Sequence, residues 1–76
     1  MNKIRRKALA DIQEQLETLK EELEALKEEE EDYRDNMPEN LQGSERYEAA
    51  ESACDNLDNA YDSLDEAISA IEEAIA

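Results

Sequence analysis

Asn36-Met37-Pro38-Glu39-Asn40-Leu41-Gln42-Gly43-Ser44 is the one stretch that interrupts an otherwise continuous helical pattern, and it holds the only proline and the only glycine among 76 residues. Pro38 disfavours helical geometry at Met37 and cannot donate a backbone hydrogen bond. Gly43 offers a permissive backbone just before a new start. Ser44 is a good N-cap, with Glu45 and Glu48 placed where a helix N-terminus favours negative charge. A chain that is helical on both sides of such a segment turns back on itself there. A short connection between two helices makes them antiparallel neighbours.

Upstream of this turn the large apolar residues fall at Leu9, Ile12, Leu16, Leu19, Leu23, Leu26, Tyr33 and Met37, with Glu30 in the one missing step. The alternation of three and four is a heptad seam. Downstream it recurs without a break at Tyr47, Ala50, Cys54, Leu57, Tyr61, Leu64, Ile68, Ile71 and Ile75. The spacing predicts helices over about 3–35 and 44–76, joined by a loop over about 36–43, in a single helical-hairpin domain. The fold class is all-α: an antiparallel two-helix coiled-coil hairpin that dimerises into a four-helix bundle. So small a core is near the lower limit for a domain that folds alone, which favours a second copy.

A register follows if Tyr33 packs near Tyr47. Leu26 then meets Cys54, Leu23 meets Leu57, Leu19 meets Tyr61, Leu16 meets Leu64, Ile12 meets Ile68, and Glu30 lies opposite Ala50. Flanking charges agree, because the same heptad edge of each helix faces the other in an antiparallel pair. On that basis Arg6 pairs with Glu72, Lys20 with Asp58 and Lys27 with Glu51. Lys3, Arg5, Arg6 and Lys7 would then lie beside Glu72, Glu73 and the terminal carboxylate. Glu30 either fixes register as a polar seam residue or reaches out to Arg34, four residues on; the outward pair is the preferred reading.

Charge bounds the partners. The formal net charge is −15, and half of the eight basic residues lie within Lys3–Lys7. The remaining sequence carries four basic residues against 23 acidic ones. Such a field repels nucleic acid and anionic membrane and attracts basic protein surfaces. The expected partners are therefore a second copy and a basic protein target, with no direct nucleic-acid binding and no membrane.

A single cysteine cannot form an internal disulfide, no run approaches membrane-spanning length, and Ala8–Gln13 is too polar for a signal peptide. The chain reads as cytoplasmic.

Chemistry has little to work with. Histidine, the commonest general base and transition-metal ligand, is absent. Cys54 falls on the seam, where a thiol is a buried small hydrophobe rather than a nucleophile. The carboxylates lack the glycine and ligand order of a calcium-binding loop. No catalytic, cofactor-binding or metal site is expected.

Three surfaces remain for binding. Glu48, Glu51, Asp55, Asp58, Asp62, Asp65 and Glu72 form an acidic flank on the second helix, suited to a basic partner. Ala49, Ala53, Asn56, Ala60, Ser63, Ala67, Ala70 and Ala74 form a small-residue flank. That flank lets another helix approach closely and is the expected oligomer interface, unless it is only a solvated face of good helix formers. At the loop end Tyr33, Met37, Leu41 and Tyr47 either plug the hairpin or anchor a partner, Tyr and Met being common interface residues.

The stretch Asn36-Met37-Pro38-Glu39-Asn40-Leu41-Gln42-Gly43-Ser44-Glu45-Arg46-Tyr47-Glu48 resembles that of short acidic proteins encoded in bacteriophage and prophage regions of gut bacteria, a group without assigned activity. The resemblance spans most of the chain and implies a phage context and no catalytic residue. Some small acidic phage proteins mimic DNA to inhibit host restriction or CRISPR enzymes, though none of those characterised matches this chain. The charge scale permits mimicry: 19 net negative charges over ~50 Å is one per ~2.6 Å, against one per ~1.7 Å along duplex DNA. The sequence therefore points to a non-enzymatic protein-binding module, an anti-defence inhibitor acting as a DNA mimic; the alternative is a structural coiled coil that mainly self-associates.

Overall fold

The computed structural model describes all 76 residues and is 88% helical, with two long helices and no strands. Helix α1 spans Lys3–Asp35 and helix α2 spans Glu45–Ile75, packed together as an antiparallel hairpin with principal extents of 59 × 14 × 13 Å. Each helix begins on a side-chain cap. Asn2 Oδ1 accepts from the Arg5 amide at 2.7 Å, and Ser44 Oγ accepts from the Tyr47 amide at 3.3 Å while donating to the Leu41 carbonyl at 2.5 Å. These oxygens satisfy amides that have no partner within the helix.

The turn forms for the reasons its sequence suggests, with one exception. Pro38 sits extended, and a single 3₁₀ turn follows over Glu39–Leu41. Gly43, expected to supply special backbone freedom, has no positive φ, and a Cβ there would meet nothing within 4 Å. The turn does not require glycine at that position.

Along α2 the expected seam is the packing face: all nine of its residues are buried or half-buried, with Ala50, Cys54 and Ile68 the most enclosed. Along α1 the expectation holds for only one of its two columns. Leu9, Leu16 and Leu23 turn toward α2, but Ile12, Leu19, Leu26 and Tyr33 remain 45%, 52%, 58% and 47% exposed. Their place beside the inner column is taken by Gln13, Lys20, Lys27 and Arg34, all half-buried. At about 100° per residue, α1 is rotated by about 50° from the orientation its leucines imply. The lysines fill this position because their methylene stems cover apolar surface while the ammonium groups reach water and carboxylates.

The register differs as well. Lys20 Nζ lies 2.5 Å from Asp65 Oδ1 and Lys27 Nζ lies 2.8 Å from Asp58 Oδ1, in place of the expected pairs Lys20–Asp58 and Lys27–Glu51. Both ammonium groups lie over the Tyr61 ring, 4.8 and 5.3 Å from its centroid, so Tyr61 sits between them near the height of Leu23 rather than of Leu19. The first turn of α2 therefore stands beside the loop and the very end of α1, where Arg46 lines one depression with Tyr33. Met37, which continues the inner column of α1 past its end, is correspondingly buried to 8% exposure.

Two further expectations fail. At the far end this register leaves the start of α1 without a neighbour on α2. Ile4 is 82% exposed, and Arg6 forms no ion pair with Glu72; the only bridge from the basic start is Lys7–Asp11, within α1. Arg34 pairs with Asp35 at 3.0 Å rather than with Glu30.

Candidate functional site

The ion pairs decide which residues share a side of the hairpin. Residues seven apart form a column along a helix, and each packing face is flanked by one column on either side. On α1 the lysine column lies on one side of the inner leucines and the Ile12–Leu19–Leu26–Tyr33 column on the other. Because Lys20 and Lys27 bond Asp65 and Asp58, the acidic column of α2 shares the lysine side. The opposite column of α2, Ala53–Ala60–Ala67–Ala74, must then share a side with the exposed apolar column of α1.

The molecule thus has two unlike long faces. One is acidic: Glu48, Glu51, Asp55, Asp58, Asp62, Asp65 and Glu72 are all exposed. Two of the seven, Asp58 and Asp65, are already engaged with lysines. Those carboxylates raise the Lys27 and Lys20 pKa values, chiefly through the side-chain hydrogen bonds, and hold both ammonium groups charged. Glu48, Glu51, Asp55, Asp62 and Glu72 have no salt-bridge partner and face solvent.

The other face is charge-poor. Of the small-residue flank, Ala49, Asn56, Ala60, Ser63, Ala70 and Ala74 are exposed and Ala53 and Ala67 half-buried. The register sets a large residue of α1 at about the height of a small one of α2: Ile12 with Ala74, Leu19 with Ala67, Leu26 with Ala60, and Tyr33 with Ala53. Sequence reasoning found the alanines but assigned the four large residues to the interior. The signal that could have found them is the column Gln13–Lys20–Lys27–Arg34, long-stemmed side chains at a seven-residue repeat facing a seam that carries Tyr61.

At the loop end, an open depression of about 250 Å³ is lined by Tyr33, Asn36, Met37, Pro38, Leu41 and Arg46. Of the four expected anchor residues, Tyr33 and Leu41 are exposed, Tyr47 is half-buried, and Met37 is committed to packing. A second open depression, of about 290 Å³, is lined by Glu17, Lys20, Glu21, Glu24 and Tyr61.

Cys54 is 1% exposed, and burial pushes its thiol pKa up, with the Arg34 guanidinium opposing that shift. A protonated thiol out of contact with water is a poor nucleophile. No three potential ligands converge where they could hold a metal ion, and no helix is long and apolar enough to cross a membrane. No protein-family model matches the sequence, and comparison with curated proteins and with solved structures returns no significant match.

Proposed function

We propose that this chain is a non-enzymatic, acidic protein-binding module that occludes the basic surface of a nucleic-acid-handling protein. The observation that carries this reading is the acidic face of α2, whose unpaired carboxylates stand exposed over about 36 Å from Glu48 to Glu72 at ~1.5 Å per residue. A long row of fixed negative charge attracts a groove built for phosphates and raises the rate of encounter with it. The phage context implied by the loop stretch makes a host defence enzyme the natural class of target, with DNA-mimic occlusion as the mechanism. A scaffold that mainly self-associates is the second reading, favoured by the apolar column left open on α1.

The test is a pull-down from bacterial lysate at low and high salt, run beside a variant with Glu48, Asp55 and Asp62 changed to Lys. These three carboxylates are not used inside the hairpin, so the variant keeps its internal ion pairs. The expected result is a basic, nucleic-acid-handling protein that is retained at low salt, released at high salt, displaced by added DNA and lost with the variant. Equal retention by the variant would sink the acidic-face mechanism, and recovery of the chain alone would favour the scaffold.

A further inference from the structure

We infer that the charge-poor face is the docking surface for a second copy of this chain, and that two hairpins close over it into a four-helix bundle. Only four of 76 residues are buried in the single hairpin, while four large apolar residues stand about half exposed in one column. An exposed apolar column at a seven-residue repeat is the sign of a helix that packs on two sides.

Charge selects a like copy as the occupant. A molecule of net charge −15 resists a like copy at its acidic surfaces and resists it least through a long face that carries no charge. Here the apolar column of α1 and the whole small-residue flank of α2 are uncharged, and the acidic row of α2 points the other way. A second copy can therefore meet this face without bringing those acidic rows together, whereas a basic partner gains nothing from it.

Shape and area agree. Seating α1 of one copy over α2 of the other sets each large side chain against an alanine, the alternation that fills space between facing helices. From Ile12 to Tyr33 the face runs about 32 Å, and two helices about 8–10 Å apart make it about 20 Å wide, on the order of 600 Å² per copy. The total on two copies clears the ~1,000 Å² expected of a specific interface.

This pairing rests on neither functional reading, and its test reads assembly alone. In sedimentation equilibrium at micromolar concentration the chain is expected at twice its 8.7 kDa mass, in high salt as in low. Leu19→Glu with Leu26→Glu is expected to sediment as one chain. Because that variant can also lose its fold, a milder pair maps the face directly. In a Cys54→Ala background, Ala60→Cys is expected to give covalent dimers with a short bismaleimide, and Asp62→Cys, on the acidic side, is not. A single-chain mass for the wild type, or preferential crosslinking through residue 62, would overturn the proposal.

Discussion

α1 and α2 carry the same three-and-four spacing of apolar residues, yet they use it differently. α2 turns both of its seam columns inward and keeps its charges outside. α1 turns one column inward, draws the lysine column in beside it, and leaves its other apolar column in the open. The difference teaches that a heptad pattern names the columns able to face a partner without saying which partner each will face. The choice falls to neighbours: the Tyr61 ring offers a surface for two lysine stems and their cations, and Asp58 and Asp65 stand where those cations end. Cation–aromatic contact and charge pairing add to what the stems gain by covering apolar surface.

The largest expected contrast between the helices is in thiol access. Native Cys54 should react with an aromatic disulfide reagent at least on the order of a hundredfold more slowly than Leu26→Cys in a Cys54→Ala background, because it must wait for the hairpin to open. Comparable rates at the two positions would mean that the α2 seam is not closed.

Truncation sharpens the same contrast. Ile68→Ala should cost about 2–4 kcal/mol in urea unfolding followed by circular dichroism. Leu26→Ala, measured at dilutions that favour the single chain, should cost less than about 1 kcal/mol, since its site loses little enclosed volume. A reversed order would restore the rotation of α1 that its leucines imply.

The smallest effect lies in the ion pairs. Lys20 and Lys27 have pKa values raised by their carboxylate partners, so the protonated forms are favoured by folding. That contribution is fully present below the unfolded lysine value of about 10.4 and is lost as pH climbs through the raised folded values. Cys54, raised by burial, acts in the same direction, beginning to subtract stability above its ordinary thiol range. Thermal melts should therefore hold steady through neutral pH and fall in alkali. The fall should be shallower for Asp58→Asn with Asp65→Asn than for wild type; identical curves would show that the pairs do not contribute.

Much of the architecture is legible in the residues themselves. Pro38 and Ser44 mark the turn, the seam of α2 is its packing face, and the seven carboxylates expected on one flank are exposed there. What is not legible depends on the relation between helices. In α1 the columns on either side of the inner leucines are both chemically able to pack, one by being apolar and the other by its long stems. No local rule ranks them. The position of Arg6 relative to Glu72 depends in turn on register, which Met37 helps to set by packing beyond the end of its own helix. The exposure of Leu19 and Leu26 is not legible for the same reason: a heptad leucine need not serve the nearest partner.

The lysines of α1 and the acidic residues of α2 repeat with the same seven-residue step. They behave like the teeth of two matched racks: a slip of half a repeat is rejected, while a slip of a whole one finds every tooth opposed again. In the next setting Asp58 would stand opposite Lys20 and Glu51 opposite Lys27, although Cys54 would then replace the Tyr61 ring between the two lysines. The charges therefore define a set of permitted settings, and the loop with its buried methionine picks one of them. A hairpin built this way can change the length of its connection without rewriting its surface, because the next setting is already encoded along both helices.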